Sequence, residues 1–277
     1  EYLAKTLQGL EGVLADELKA LGAKDIEIQR RAVSFKGDKK TLYKANFWLR
    51  TALRILKPVA VFKVNSPDDV YTEIKKLKLE EFINANKTFS IDTTVYSEQI
   101  NHSRYVTYKA KDAIVDYFTE KYGKRPTVSV ANPDIYFNLH ISHTTCTLSL
   151  DSSGAPLFKR GYRVAQTDAP INEVLAAGLL MLSGWKGQCD FIEPMCGSGT
   201  IAIEAAMIAL NMAPGLFRKE FAFERWEDFD KDMFDEIYND DSMERDFKHK
   251  IYASDVSAKA NSIAKSNIII SVLGRYI

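Results

Sequence analysis

Apolar positions in the first fifth of the chain alternate between helical and strand spacing. One helical face is predicted to hold Leu10, Val13, Leu14, Leu18 and Leu21. Gly22 suits the end of that helix, because glycine readily adopts the left-handed backbone found there. Alternation at 26–29 and 32–35 predicts two short strands, and 39–49 returns to the helical period. Residues 6–56 therefore predict a small α+β unit.

A second unit is predicted between about residues 60 and 155. Ser66 and Asp69 have the spacing of a capping box, which predicts a helix that begins there. The rest of this unit is predicted to comprise a strand at 89–93, a helix at 109–122, and strands at 135–140 and 146–150.

The last third of the chain predicts strands and helices in alternation. The predicted order is a helix at 172–182, a strand at 190–193, a helix at 200–211, a strand at 251–255 and a helix at 257–267. That order is typical of the start of a doubly wound α/β sheet. Residues 218–250 hold 12 acidic and 7 basic residues with apolar positions at helical spacing. We expect them to form an exposed helical insertion rather than part of a core.

Composition narrows the class of protein. With 46% hydrophobic and 27% charged residues, the chain matches ordinary globular proteins and not disordered or fibrous ones. It has no apolar run of membrane-spanning length and no signal peptide at its start, so we expect no membrane association. Three cysteines without a CxxC pair favour a reducing, cytoplasmic location. His140 and His143 are expected on opposite faces of one strand, which disfavours a metal site.

Charge is divided unevenly although the net charge is zero. Residues 1–165 carry 26 Lys and Arg against 19 Asp and Glu, and residues 166–277 carry 11 against 18. A basic half can attract a polyanion such as a nucleic acid, since Lys and Arg neutralise phosphates. The alternative is an ordinary solvated surface.

The most specific motif is a glycine-rich loop between a predicted strand and a predicted helix. Gly197, Gly199 and Ala202 satisfy G-x-G-x-x-G/A in that context. Gly197 is expected to allow a tight turn, Gly199 to leave room for a ligand, and Ala202 to let the helix pack against the strand.

Two acidic residues suggest which ligand this loop binds. Glu193 ends the first strand, where a carboxylate would repel a pyrophosphate but attract the sulfonium and amino groups of S-adenosylmethionine. Asp255 ends the next strand and is expected to accept hydrogen bonds from ribose hydroxyls. The alternative is a glycine-rich turn without a ligand, with Asp255 as a helix cap. Cys196 could act as a nucleophile near a helix start, but a packing role is favoured.

The segment Glu193-Pro194-Met195-Cys196-Gly197-Ser198-Gly199-Thr200 resembles the D/E-P-x-C-G-S-G-T signature of THUMP-containing RNA guanine-N2 methyltransferases. Segments 100–103, 109–114, 132–134 and 148–151 are similar to the THUMP module, and 158–163 with 169–173 to the entry into the methyltransferase domain. The resemblance covers nearly the whole chain and points to the bacterial enzymes that act on large-subunit ribosomal RNA, which are often labelled N6-adenine-specific DNA methylases.

The resemblance implies an α/β chain with an N-terminal RNA-binding region and a Rossmann-like methyltransferase domain. The implied domains are a ferredoxin-like domain at 1–59, a THUMP domain at 60–157 and a methyltransferase domain at 158–277. The cofactor implied is S-adenosylmethionine, bound by Glu193, Pro194, Cys196, Gly197, Ser198, Gly199, Thr200 and Asp255. The residues expected to contact RNA are Asn101, His102, Lys109, Lys111, Lys159, Arg160 and Arg163.

One motif of the family is missing from this sequence. Its catalytic (D/N)-P-P-(Y/F) loop has no counterpart, since no Pro-Pro pair occurs up to Ile277. We therefore expect the methyltransferase domain to be incomplete at its C-terminus, the catalytic residues to lie beyond Ile277, and an isolated chain of this extent to be inactive. Two alternatives stay open, a DNA adenine-N6 methyltransferase and a non-catalytic RNA-binding protein.

Overall fold

The computed structural model describes residues 1–100 and 102–277. The chain divides into two units, each of which we describe by itself. The sheet unit contains residues 56–154 and 221–229, together with residue 1. The glycine-loop unit contains residues 2–55, 155–220 and 230–277.

The glycine-loop unit begins with a three-stranded antiparallel sheet and two helices. In chain order these elements are β1 (Tyr2–Lys5), α1 (Glu11–Ala20), β2 (Lys24–Gln29), β3 (Ala32–Lys36) and α2 (Lys39–Trp48). β3 lies in the middle and pairs with both β1 and β2. The predicted α+β unit is confirmed, but the pattern missed β1, which is too short to show a period. Gly22 takes the expected left-handed backbone just after α1.

The sheet unit is built on a mixed β-sheet, with antiparallel and parallel strand pairs, and helices pack against it. Its elements are β4 (Arg54–Lys63), α3 (Pro67–Lys75), β5 (Thr88–Tyr96), α4 (Ser103–Tyr122), β6 (Thr127–Val128), β7 (Ile135–Ser142) and β8 (Thr145–Asp151). The strand order is β4-β8-β7-β5-β6, with β5 parallel to β7. α3 begins with the predicted capping box of Ser66 and Asp69.

Alternation along β7 shows where this unit's core lies. Ile135, Phe137, Leu139 and Ile141 are buried, whereas the residues between them are half-buried. His143 lies past the end of β7 in a turn with φ +54°, so the expected placement of His140 and His143 on one strand was wrong. The described residues contain no group of three His, Cys, Asp or Glu side chains that could hold a metal ion.

The remainder of the glycine-loop unit contains two parallel strands and four helices. They are α5 (Glu173–Ser183), β9 (Phe191–Glu193), α6 (Thr200–Ala209), α7 (Lys231–Tyr238), β10 (Ile251–Ala253) and α8 (Ala258–Ile270). β9 and β10 are paired in parallel, with Ile192 opposite Tyr252. α6 supplies small apolar residues to a core that also contains Trp185 and Phe247. The predicted strand–loop–helix–strand–helix order is confirmed.

The expected exposed insertion at 218–250 was wrong. Phe221, Phe223 and Trp226 are buried in the sheet unit, where the Phe223 N–H donates to the Ser152 carbonyl at 3.0 Å. Phe234 and Ile237 of α7 are buried in the glycine-loop unit. Aromatic residues thus anchor this acidic stretch in two cores, and its acidic residues cover the outside. In the part of the chain that the structure describes, no helix is long and apolar enough to cross a bilayer.

Candidate cofactor site

The candidate site lies where the two parallel strands end. β9 ends at Glu193, and the loop 194–199 leads from it into α6. The Cys196 N–H donates to the Ser254 carbonyl at 2.8 Å, and the Ser254 N–H donates to the Glu193 carbonyl at 2.9 Å. These two bonds extend the strand pairing into the loop, so that the loop is held beside the residues that follow β10.

Asp255 connects the glycine-rich loop to the start of α8. Its Oδ2 accepts from the Gly197 N–H at 3.0 Å, and its Oδ1 accepts from the Ser257 N–H at 2.9 Å. The bond from Ser257 and then the bond from Gly197 lower the pKa of this carboxyl, so it is ionised at neutral pH. Each carboxylate oxygen retains a second lone pair. The helix cap of α8 is Ser257, not Asp255, so the simple capping alternative was wrong.

The two glycines of the loop serve different purposes. Both take a left-handed backbone, with φ +51° at Gly197 and +78° at Gly199. A Cβ at Gly197 would meet only Thr167 Oγ1, at 3.9 Å, which leaves its outer side open. A Cβ at Gly199 would lie 3.1 Å from Ala264 Cβ of α8. The missing side chain of Gly199 therefore lets α8 pack against the loop. That it also leaves room for a ligand stays a prediction.

Glu193 is directed toward the helix start rather than toward open solvent. The residue is buried, and its Oε2 accepts from the Ala202 N–H at 2.9 Å, within the first turn of α6. Burial raises the pKa of this carboxyl to about 7. The carboxylate thus supplies the acceptor that Gly199, the capping residue of α6, has no side chain to provide. The expected attraction to a cationic ligand is not needed to explain this residue.

The raised pKa of Glu193 predicts a specific pH dependence of stability. The carboxyl titrates at its usual 4.5 when unfolded and at about 7 when folded, so the folded chain binds more protons between these values. The free energy of unfolding should therefore fall as pH rises from about 5 to about 7. Glu193→Gln keeps an oxygen that can accept from Ala202 and should remove this part of the dependence. Urea unfolding of the parent and of Glu193→Gln between about pH 5 and about pH 7 measures the free energy of unfolding of each. The same pH dependence in both proteins would contradict the raised pKa of Glu193.

Asn267, which was not among the predicted site residues, holds the glycine-rich loop through a hydrogen bond to its backbone. Asn267 of α8 is buried, and its Oδ1 accepts from the N–H groups of Val164 and Ala165 at 2.9 and 3.2 Å. Its Nδ2 donates to the carbonyls of Ala165 and Ser198, both at 2.9 Å. The segment near residue 165 and the glycine-rich loop are thereby attached to one side chain. The sequence held a signal, since Asn267 continues the buried face of Ala260 and Ala264.

The other predicted cofactor residues line or support the same loop. Ser198 is buried, and its Oγ accepts from the Thr167 N–H at 2.9 Å. Thr200 is buried and accepts from Arg163 Nη2 at 2.9 Å. Pro194 is exposed. Cys196 is buried, and burial raises the pKa of its thiol, which favours the packing role over a thiolate nucleophile.

The described residues of the sheet unit that are expected to contact RNA lie just before α4 and in its first half. His102 precedes the helix and is exposed, whereas Asn101 lies outside the described residues. Lys109 Nζ is 2.6 Å from Asp68 Oδ1 and lies over the ring of Tyr105. Lys111 pairs with Asp112 at 2.7 Å and lies over Tyr108.

The residues expected to contact RNA from the glycine-loop unit differ in accessibility. Lys159 is exposed. Arg160 has only 2% of its surface exposed and forms an ion pair with Glu204, so its expected contact with RNA was wrong. Arg163 is mostly buried and pairs with Glu173 at 2.7 Å.

The geometry fits S-adenosylmethionine on two counts. The carboxylate of Asp255 is ionised and partly accessible, and it lies two residues after the end of β10, where a ribose can donate to it. The open side of Gly197 lets a ligand approach the loop backbone without a clash.

Three family models match consecutive parts of the chain. The RlmL ferredoxin-like domain matches residues 1–56, the THUMP domain matches 64–151, and the UPF0020 RMKL-like methyltransferase domain matches 160–274. Their order is the one implied by the sequence resemblance.

Similar proteins agree with these models. The chain is 39% identical to a candidate RNA methyltransferase of Synechocystis sp., over 96% of this chain and 70% of that protein. It is 39% identical to the ribosomal RNA large subunit methyltransferase K/L of Syntrophotalea carbinolica, over 89% of this chain but only 35% of that protein. The crystal structure of SMU.472, named as a candidate methyltransferase complexed with SAH, matches with a TM-score of 0.86 and 29% identity, over 99% of this chain and 73% of that one. The chain therefore belongs to the THUMP-containing family of S-adenosylmethionine-dependent RNA methyltransferases.

Proposed function

We propose that this chain acts in the methylation of guanine N2 in large-subunit ribosomal RNA. The observation that carries the proposal is the bond from the Gly197 N–H to Asp255, which joins the glycine-rich loop to the end of the neighbouring parallel strand. This pairing of an open loop backbone with an ionised carboxylate is suited to a nucleoside-containing methyl donor. It occurs in a chain that also carries a THUMP domain, which favours RNA over DNA as the substrate.

We assign RNA binding to the N-terminal region, formed by the domains at 1–59 and 60–157, and cofactor binding to the domain at 158–277. Asp255 would accept hydrogen bonds from the cofactor ribose, and Gly197 would let the backbone approach the cofactor. Pro194, Cys196, Ser198 and Thr200 would fix the shape of the loop. When bound, S-adenosylmethionine supplies the methyl group, and the accepting guanine must lie in a single-stranded or flipped state to reach it.

RNA contacts from the THUMP domain are proposed in the first half of α4. Arg104, Lys109 and Lys111 lie there with exposed Tyr105 and Tyr108, and each cation is within 6 Å of a tyrosine ring centroid. Lys109 and Lys111 pair with the exposed carboxylates of Asp68 and Asp112, and an RNA phosphate can replace such weak surface partners. Exposed aromatic rings can stack on unpaired bases. His102 precedes this helix and is exposed, so it belongs to the proposed contact region. The expected contact of Asn101 with RNA lies outside the described residues.

The test is product analysis with the protein isolated from its native host. The protein is supplied with methyl-labelled S-adenosylmethionine and ribosomal RNA that has not been modified, and the RNA is digested to nucleosides for mass spectrometry. We expect the label in N2-methylguanosine. Label in N6-methyladenine of added DNA would favour the DNA methylase alternative. RNA binding without any transfer would favour the non-catalytic alternative.

A further inference from the structure

The glycine-loop unit contains a cavity that the cofactor assignment does not use. Its volume is about 630 Å³, within the range of small-molecule sites. The wall comes from residues 155–173 and 217–220, and it includes Phe158, Lys159, Arg163, Phe217, Arg218 and Lys219.

The cavity is built from segments that hydrogen bonds hold in place. Arg218 donates from Nη1 to the carbonyls of Pro156 and Lys159, both at 2.9 Å, and from Nη2 to that of Ala155 at 2.8 Å. Arg163 donates from Nη2 to the Ile171 carbonyl at 3.0 Å. The two arginines thus fix three stretches of irregular backbone around one space, so the cavity is pre-formed.

The charge of the lining favours an anion. Arg160 is neutralised by Glu204 and Arg163 by Glu173. Arg218 donates to three backbone carbonyls, and the lining also includes the carboxylate of Glu220. The cations of the lining that a ligand can reach are therefore Lys159 and Lys219. Lys159 and Lys219 are exposed, so their ammonium groups can reach a phosphate near the opening.

The apolar part of the lining favours a flat ring. Phe158 and Phe217 are half-buried in the wall and leave part of their rings accessible. Nucleobases that are not paired stack on aromatic side chains of this kind. The two exposed lysines suit the phosphate of a nucleotide, and the two phenylalanine rings suit its base.

The cavity is also linked directly to the candidate cofactor loop. Arg163 lines the cavity and donates to Thr200, the first residue of α6 after the loop. Gln166 lines it as well, and its neighbour Thr167 donates its N–H to Ser198 of the loop. A base in the cavity would therefore lie beside residues that shape the methyl-donor site.

We propose that this cavity receives one nucleotide of the substrate RNA, with Lys159 and Lys219 at its phosphate and Phe158 and Phe217 beside its base. The inference rests on the proposed function, since it assigns the RNA strand to a place next to the proposed cofactor site. It adds Phe158, Phe217 and Lys219 to the residues expected to contact RNA.

Charge reversal at the opening tests the inference. The double variant Lys159→Glu/Lys219→Glu is compared with Lys186→Glu/Lys248→Glu, which makes the same charge change at exposed lysines of the same unit outside the cavity. The probe is a short fluorescein-labelled single-stranded RNA containing guanine, measured by anisotropy at several salt concentrations. We expect the cavity variant to bind about tenfold more weakly than the control variant, with a salt slope smaller by about two. Phe158→Ala should weaken binding by about tenfold without changing the salt slope.

Calorimetry on the same proteins measures the binding of S-adenosylhomocysteine. It distinguishes a failure of the cavity inference from a failure of the proposed function. We expect the parent, the cavity variant and the control variant to bind S-adenosylhomocysteine with the same affinity. Equal RNA binding by the cavity and control variants, or no RNA binding by the parent, would overturn the inference. Loss of S-adenosylhomocysteine in the cavity variants with RNA binding retained would assign the cavity to the cofactor instead. A parent that binds RNA but no S-adenosylhomocysteine would contradict the proposed function rather than the cavity.

Discussion

Asp255→Ala should weaken binding of S-adenosylhomocysteine by about one to two orders of magnitude. Hydrogen bonds to an ionised acceptor are about twice as strong as neutral ones, and the two ribose hydroxyls would lose that acceptor together. The substitution removes the proposed acceptor of the ribose hydroxyls. It also releases the Gly197 and Ser257 N–H groups that Asp255 now holds, so the loop loses a support as well. Calorimetric titration of the folded variant measures the combined effect.

Two further variants give this experiment its controls. Asp255→Asn keeps one oxygen acceptor and should fall between the parent and Asp255→Ala. Asp190 lies just before β9, at the opposite end of the strand pair, and its Oδ1 accepts from the Lys250 N–H at 3.0 Å. Asp190→Ala thus removes a comparable bond to the backbone and should leave the affinity unchanged. If Asp255→Ala bound S-adenosylhomocysteine like the parent, the ribose assignment would be wrong.

The parts of the fold that could be predicted are those governed by local pattern. The helices α1, α2 and α5 and the strand–loop–helix around Gly197 follow from hydrophobic spacing and from the glycines, which act within a few residues of each other. The capping box of Ser66 and Asp69 is equally local. The predicted strand at 251–255 is shorter in the structure and ends at Ala253, and Asp255, two residues further on, accepts from the Gly197 N–H.

The parts that could not be predicted depend on residues far apart in the sequence. Phe221 and Phe223 lie in an acidic stretch whose composition predicts an exposed segment. They are buried because that stretch packs against a core formed by residues far away in the sequence. The bond from the Ala202 N–H to Glu193 joins two elements and exists only once α6 has formed beside β9, so no sequence pattern indicates it. Lys159, Arg160 and Arg163 look alike in the sequence, and only their partners in the fold separate a surface cation from two internal ones.

Arg160 illustrates how such a buried ion pair holds the glycine-loop unit together. Its Nε lies 3.4 Å from Glu204 Oε1, which also accepts from the Tyr162 hydroxyl at 2.9 Å. The guanidinium further donates to the carbonyls of Leu157 and Arg50, at 3.0 and 2.6 Å. Through these bonds one side chain connects α6 with the segment after α2 and with the chain that enters the methyltransferase domain.

Removing Arg160 should therefore destabilise the protein strongly. Arg160→Ala removes the ion-pair partner of buried Glu204 and strands two carbonyl groups, which should lower the free energy of unfolding by about 3–5 kcal/mol. The exposed pair of Lys231 and Asp235 on α7 supplies the control, since Lys231→Ala should cause no measurable change. Denaturant unfolding of both variants measures the difference, and equal stability would contradict the buried-pair assignment.

A double variant distinguishes the uncompensated charge from a simple loss of packing. Arg160→Met with Glu204→Leu replaces both partners by apolar side chains, so no carboxylate is left at this position. Because replacing a whole buried ion pair is often close to neutral, this double variant should be more stable than Arg160→Ala, even though Tyr162 loses its acceptor. A double variant less stable than Arg160→Ala would mean that the bonds from the guanidinium to the backbone, rather than the pairing with Glu204, are the main reason for an arginine at this position.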